Sequence, residues 1–368
     1  MRSKINSSRK FFSLLFFVFS FTFLATAEPD HASTPEHAEK SEKLNVGGMI
    51  LEHILDAHEW HILGEGHDAV SIPLPIILYT DKGFDFFLSS AFEHGTATVH
   101  GKYDYRIEHQ HIFAVNEVGE KLGSVSVMDF SITKNVAAMF ISIIFLLLIF
   151  SSVAKAYTRN QGKAPSGVQS FVEPIILFIR DVAKTNIGEG KYEKYMPFLL
   201  TCFFFIWINN LLGLIPFLPG GANVTGNIAV TLVLATITFL ITVVKANKHY
   251  WKHIFAMPGV PVGVLVILTP IEVLGMFIRP FVLMLRLFAN ITAGHIVILS
   301  FISLIFIFGE KSPIAGWGVS PLSILFVVFM SVLELLVAIL QAYVFTLLSS
   351  IYIGSAIADG HHGDDDHH

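Results

Sequence analysis

The chain has a single cysteine, Cys202, in 368 residues. That excludes a disulfide framework and a cysteine-based metal site. Charge is also scarce. Only 14% of residues are Asp, Glu, Lys or Arg, and the net charge is −5, so no basic surface points to nucleic acid. No phosphate-binding glycine loop and no dinucleotide fingerprint is present, so any nucleotide chemistry must lie on a partner chain. Apolar residues, by contrast, are plentiful: 53% of the sequence is hydrophobic and the mean hydropathy is +0.63. This balance excludes a disordered chain and argues for a polytopic membrane protein.

The first 27 residues read as a secretory signal. Arg2, Lys4, Arg9 and Lys10 form a charged start, Phe11 to Leu24 an apolar core, and Ala25-Thr26-Ala27 a small-residue cleavage site. An uncleaved anchor is the alternative. With cleavage the mature chain begins near Glu28, outside the inner membrane. Residues 28–45 are polar. From Met49 to Glu65, "MILEHILDAHEWHILGE" predicts a short amphipathic helix. The pieces "AVSIPLPIILYT", "FDFFLSSAF" and "ATVHGKYDYRIEHQHIFAV" alternate in polarity between turn residues and predict a small β-rich unit. "HEWH" (58–61) lacks the spacing of a helical zinc motif, and Asn223-Val224-Thr225 is a glycosylation sequon by pattern only.

Apolar segments follow. Spans are predicted over Val136–Ala154, Met196–Pro216 and Asn227–Val244, and two longer apolar stretches cover 262–308 and 318–357. A perpendicular span needs about 20 residues, so the last two predict tilted, curved or broken helices. "FVEPIILFI" (171–179) is too short to cross. It is flanked by Arg180, Asp181 and Lys184, which suits a helix lying in the interface. Basic residues cluster between the first two spans (Lys155, Arg159, Lys163, Arg180, Lys184, Lys191, Lys194) and after the third (Lys245, Lys248, Lys252). Those loops are expected to be cytoplasmic. Five crossings then put the N-terminus outside and the tail "GHHGDDDHH" inside.

Within the first long stretch, "FVLMLRLFANITAGHIVILS" (281–300) carries Arg286 near its centre. An arginine in mid-membrane costs from about 3 to about 17 kcal/mol, depending on how the cost is assessed. Glu272, Arg279 and Arg286 are seven apart and line one helix face with slow drift. Asn290 is one turn past Arg286 and stays near that face, whereas His295 is rotated to roughly the opposite side. On the second stretch Glu334 and Gln341 are again seven apart. Neutralisation within a packed bundle is one explanation, and Arg279 could snorkel to the surface. Ionisable groups at this depth more often mark ion pathways. A histidine and a glutamate can pass protons, whereas an arginine keeps its proton.

The segment "LRLFANITAGH" (285–295) resembles the signature of the a subunit of F-type rotary ATP synthases. "NNLLGLIP" (209–216), "NVT" (223–225) and "LQAYVFTLLSSIYI" (340–353) fit the same family at matching separations. The resemblance covers about 130–358. It implies an all-α polytopic membrane protein whose two long C-terminal helices form a tilted hairpin against a ring of c subunits. The implied function is that of a non-catalytic proton-channel stator subunit with two offset half-channels. Arg286 matches the family's essential arginine. Asn290, His295, Glu334 and Gln341 match the half-channel open to the outside, and Glu272 the acidic residue of the cytoplasmic one. Some members carry Glu where His295 stands and His where Glu334 stands, so here the pair is exchanged. Implied partners are the c ring, the b subunits of the peripheral stalk, indirectly the catalytic ATPase head, and membrane lipid. The implied place is the bacterial inner membrane, and no cofactor or metal is expected.

The expected organisation is a signal peptide (1–27), a partly β extracytoplasmic extension (28–130), the membrane domain (131–358) and an acidic, His-containing tail (359–368). No intramembrane polar group falls in 46–125, so loss of that segment is expected to affect assembly rather than selectivity. A sodium-translocating version, a secondary transporter and a non-transporting anchor are the alternatives. A transporter would be expected to show internal repeats, and none is visible.

Overall fold

The computed structural model describes residues 55–63, 70–108, 110–116, 118–215, 221–257 and 259–358. The expected signal peptide, the polar stretch after it and the acidic tail lie outside the described residues.

The N-terminal part is built from three small antiparallel sheets. Strands β1 (Glu59–Leu63) and β2 (Val70–Pro73) pair with each other. Strand β3 (Pro75–Thr80) lies between β4 (Gly83–Leu88) and the short β8 (Met128–Asp129). Strands β5 (Val99–His100), β6 (Asp104–Glu108) and β7 (His111–Val115) form the third sheet. Alternation explains these strands. In β3, Ile76, Leu78 and Thr80 are buried while the intervening residues are not. Ile76 and Leu78 join Phe92, Val99, Tyr105, Ile112 and Ala114 in one small core. Asp81-Lys82 closes the β3–β4 hairpin, with Gly83 at φ 106°, a backbone region that favours glycine.

Two expectations change here. Glu59–Leu63, expected to be helical, is a strand. Its pairing with β2 and a Ser71 hydroxyl donating to Glu59 at 3.1 Å outweigh the local helical pattern. "FDFFLSSAF" is extended only as far as Leu88, and Ser89–Gly95 turn into a 3₁₀ helix that drops Phe92 into the core.

Seven α-helices are described: α1 (Lys134–Arg159), α2 (Val168–Ile187), α3 (Met196–Leu214), α4 (Ile228–Lys245), α5 (Lys248–Phe255), α6 (Val262–Lys311) and α7 (Pro313–Ile357). Five of them (α1, α3, α4, α6 and α7) are long and apolar enough to cross a membrane. The interface stretch 171–179 lies inside α2, which runs further than the apolar residues alone suggested. Helix ends follow ordinary capping rules. Thr133 accepts from the Val136 amide at α1, and Asn227 from the Ala229 amide at α4. The last carbonyls of α7 are held from neighbouring loops. Asn247 donates its amide to Ala356 O at 2.9 Å, and Lys191 Nζ donates to Ile357 O at 3.3 Å.

Helices α6 and α7 have 50 and 45 residues, or about 75 and 68 Å at 1.5 Å per residue. A hydrocarbon core is only about 30 Å thick, so both must run strongly tilted. They pack along each other as a hairpin turning at Ser312. Small residues allow the closest crossings: a Cβ at Gly316 would crowd the Gly309 backbone, and one at Gly354 would overlap the Asn186 carbonyl of α2. Much of the hairpin's other side is uncovered. Ile267, Ile271 and Leu274 of α6, with Val328, Val332, Leu335 and Leu336 of α7, are all exposed. The N-terminal part is tied to this membrane domain by Trp60, which is 4% exposed and joins the core built by α1, α2, α3, α4, α6 and α7.

Candidate functional site

Helices α3, α6 and α7 enclose a narrow cavity lined by both polar and apolar side chains. It is lined by Asn210 and Leu214 of α3, Asn290, Ile291 and His295 of α6, and Glu334, Val337 and Ala338 of α7. The space open to a water's centre is about 10 Å³, close to the least that holds one water molecule.

Each polar side chain has a local cause for its position. Asn210 is buried and donates its amide to Ala338 O at 3.1 Å, across from α3 to α7. Its carbonyl oxygen accepts the Thr225 hydroxyl. Asn223, two residues earlier, accepts the Gly226 amide at 3.0 Å. Asn223 and Thr225 are 5% and 1% exposed. The sequon therefore serves as an interior turn that orients Asn210, and it is no accessible acceptor for a glycan. His295 comes near Gly213 of α3, where an added Cβ would lie 3.7 Å from its Nε2. Glu334 presses against Gly294, where an added Cβ would overlap the carboxylate. Glycine at 294 is what lets a carboxylate of α7 reach the backbone of α6.

Both Glu334 oxygens are buried without a hydrogen-bond partner among the described residues. A bare carboxylate in such a place is costly, so the group is suited to carry a proton or to bind a water in the cavity. His295 lines the same cavity but does not bond it directly.

Of the residues singled out from sequence, Asn290, His295 and Glu334 meet here. Gln341 is buried on the same helix as Glu334, about 10 Å along its axis, but does not line the cavity. Arg286 is one turn from Asn290 and outside the cavity. It is exposed and has no ion pair with a described carboxylate. Arg279 and Glu272 lie near the start of α6. Arg279 stands 5.8 Å from the Tyr352 ring centre, and the charges of both residues act on Tyr250 of α5. Along α6, Arg286 is thus about 21 Å from Glu272 and about 14 Å from His295. Asn210 was missed as a site residue. Its signal was an asparagine pair inside an apolar span, and two asparagines in a membrane helix call for partners.

The second half of the chain matches a family model. Residues 136–354 match the model described as "ATP synthase A chain". The chain belongs to the ATP synthase a-subunit family. ATP synthase subunit a of Chloroherpeton thalassium is 46% identical over 246 residues, covering 65% of this chain and 70% of the relative. That of Pelodictyon phaeoclathratiforme is 42% identical over 289 residues, covering 76% and 81%. That of Myxococcus xanthus is 40% identical over 264 residues, covering 69% and 82%. Residues 49–130 match a separate model, a domain of unknown function, DUF8433. The chain is therefore a multi-pass membrane member of the a-subunit family with an additional N-terminal domain.

Proposed function

We propose that this a-subunit chain carries protons from the outside through the cavity beside Glu334 to a carboxylate on a ring of c subunits, and lets them leave past Glu272. Asn210, Asn290, His295 and Glu334 line the inlet, and Gln341 extends it along α7. His295 and Glu334 exchange the proton, while the asparagines and Gln341 hold water and orient it. The ring carboxylate passes along the uncovered side of the α6–α7 hairpin. Arg286 meets it between inlet and outlet, favours its ionised form, and keeps a proton from crossing directly. A proton moving down a potential releases about 2.3 kcal/mol per 100 mV, which the ring converts to rotation and a partner head to ATP.

The observation that carries this reading is Arg286 itself. It is an exposed cation among exposed apolar side chains such as Phe281, Val282 and Leu285, with no ion pair to a described carboxylate. The cost of that position is recovered only if another chain brings an anion to it. In this reading the basic loops face the cytoplasm, the residues before α1 lie outside, a cleaved signal occupies 1–27, and b subunits of a peripheral stalk hold the chain against the ring.

The experiment is ATP-driven proton pumping in inverted membrane vesicles. Arg286→Ala is expected to abolish pumping. Arg286→Lys is expected to fail nearly as far, because a lysine kept from water is a point charge that can release its proton. Normal pumping with either variant in assembled complexes overturns the assignment.

A further inference from the structure

The turn between α3 and α4 is buried, where loops are ordinarily solvated. Ala222, Val224 and Thr225 are each 1% exposed and Asn223 is 5% exposed. The turn meets the cavity at the end where α3 stops. Thr225 donates its hydroxyl to the Asn210 carbonyl. Ala222 O lies 3.3 Å, and His295 Nε2 3.7 Å, from the point where a Cβ at Gly213 would stand. On the α6 side the Thr292 hydroxyl donates to Gly226 O at 3.5 Å, next to Ile291, which lines the cavity. Residues 222–226 therefore close the cavity at the C-terminal end of α3.

Asn223 stands in the middle of this turn, between two residues that reach cavity groups. One end of its amide is used: Oδ1 accepts the Gly226 amide at 3.0 Å. The other end is not. Nδ2 is buried and has no hydrogen-bond partner among the described residues. The fit is close, because a Cβ at Gly226 would overlap the Asn223 amide. Such a turn uses only the side-chain oxygen, and a serine or threonine hydroxyl can make it as well. Two buried N–H donors left unused are costly, so they call for a partner. Glu334 shows the converse on the same cavity, with two buried acceptor oxygens and no donor.

We propose that Asn223 is a further positioning residue of the proton inlet, whose free N–H donors hold a water at the outer end of the cavity. This rests on the inlet reading above. A water that accepts from an amide N–H has its oxygen engaged and turns its own hydrogens away from the amide. Inward from this end of α3 stand His295 and Glu334, the groups that pass the proton on. The cavity itself has room for about one water, and Asn223 supplies the position for the next one outward. The amide thus sets the direction in which the incoming proton is handed over, while its oxygen keeps the turn closed.

The test is ATP-driven proton pumping by the whole complex in inverted vesicles, scaled to assembled complex. Asn223→Asp keeps the oxygen that accepts the Gly226 amide and replaces the N–H donors with an acceptor. It is expected to slow pumping by about 2- to 10-fold, the effect of one lost hydrogen bond. A turn that serves structure alone would leave the assembled Asn223→Asp complex at the parent rate, and that result overturns the proposal. A second readout reports water directly. Asn223→Cys puts a thiol at the proposed water position, and silver ion is expected to inhibit this variant. The parent's Cys202, 2% exposed and packed among apolar side chains, is expected to stay unreactive. Insensitivity of the Asn223→Cys complex to silver means that no water reaches the turn and overturns the proposal, whether or not Asn223→Asp assembles. A parent-like rate with His295→Gln overturns the inlet reading instead.

Discussion

The exchanged pair gives the sharpest test of the inlet. His295→Glu places two carboxyl groups on one cavity, and Glu334→His two imidazoles, whereas the double exchange restores one of each. The groups share a space of about 10 Å³, and Glu334 has no direct partner for either oxygen. Their coupling must run through a water or through the cavity's field, not through a bonded ion pair. Residues that share a cavity couple by about 0.5–3 kcal/mol, below the several kcal/mol lost when a bonded buried pair is broken. The double exchange is therefore expected to pump about 2- to 150-fold faster than the product of the two single defects predicts.

The assay is the initial rate of ATP-driven proton pumping in inverted vesicles, scaled to assembled complex. Volume is the main confounder, because an imidazole at 334 must fit against Gly294. Glu334→Gln, nearly isosteric and without charge, separates lost proton chemistry from lost fit. If the two exchanges prove additive within about 0.5 kcal/mol, the residues act separately and the relay between them is refuted.

Two further outcomes follow from the same geometry. Gly294→Ala is expected to displace the Glu334 carboxylate at about 1–3 kcal/mol, lowering pumping in assembled complexes, and a parallel measure of assembled a subunit shows whether the loss lies in function or in folding. In the N-terminal domain, burial pushes the Asp129 carboxyl up, but the bond and charge of His58 together with the Ser131 hydrogen bonds outweigh this and hold it below its ordinary value. Its contribution to stability is then complete above about pH 4 and lost as pH falls through the lowered value. Asp129→Asn is expected to remove that part of the acid dependence, as measured by proteolysis of the extension across pH 3–7.

Much of the membrane domain was legible because its physics is one-dimensional. Apolar runs longer than a bilayer is thick can only be long helices, and the helix bounds of α6 and α7 depart from the apolar stretches by a few residues. What the sequence hid were contacts that depend on two distant segments. Glu59–Leu63 carries a helical pattern, and only its pairing with Val70–Pro73 makes it a strand. Asn210 looked like one of a pair of polar residues in an apolar helix. Its place in the site depends on Ala338 and Thr225, 128 and 15 residues away. Asp56 falls in the segment expected to be an amphipathic helix, and its carboxylate accepts the Thr133 hydroxyl at the start of α1, 77 residues away. A helical wheel sets His295 apart from the face of Arg286 and Asn290, yet the cavity takes both Asn290 and His295 and leaves Arg286 out.

That separation bears on how such a subunit works. Glu334 and Arg286 are both left without the partners that a self-contained fold would provide, but in opposite ways. The carboxylate is buried and faces a space the size of a water; the guanidinium is exposed and faces away from that space. If the two were paired, each would stabilise the other, and neither could exchange a proton or meet an outside group. Local rules fail together at functional sites when the missing terms are supplied from elsewhere. Here water can supply the first, and a carboxylate on a moving neighbour can supply the second. A chain that held both groups unpaired at one point would only leak. In the proposed reading, holding the carboxylate on α7 beside the cavity and the guanidinium exposed on α6 lets protons reach the neighbour while the arginine stands between the two ways out.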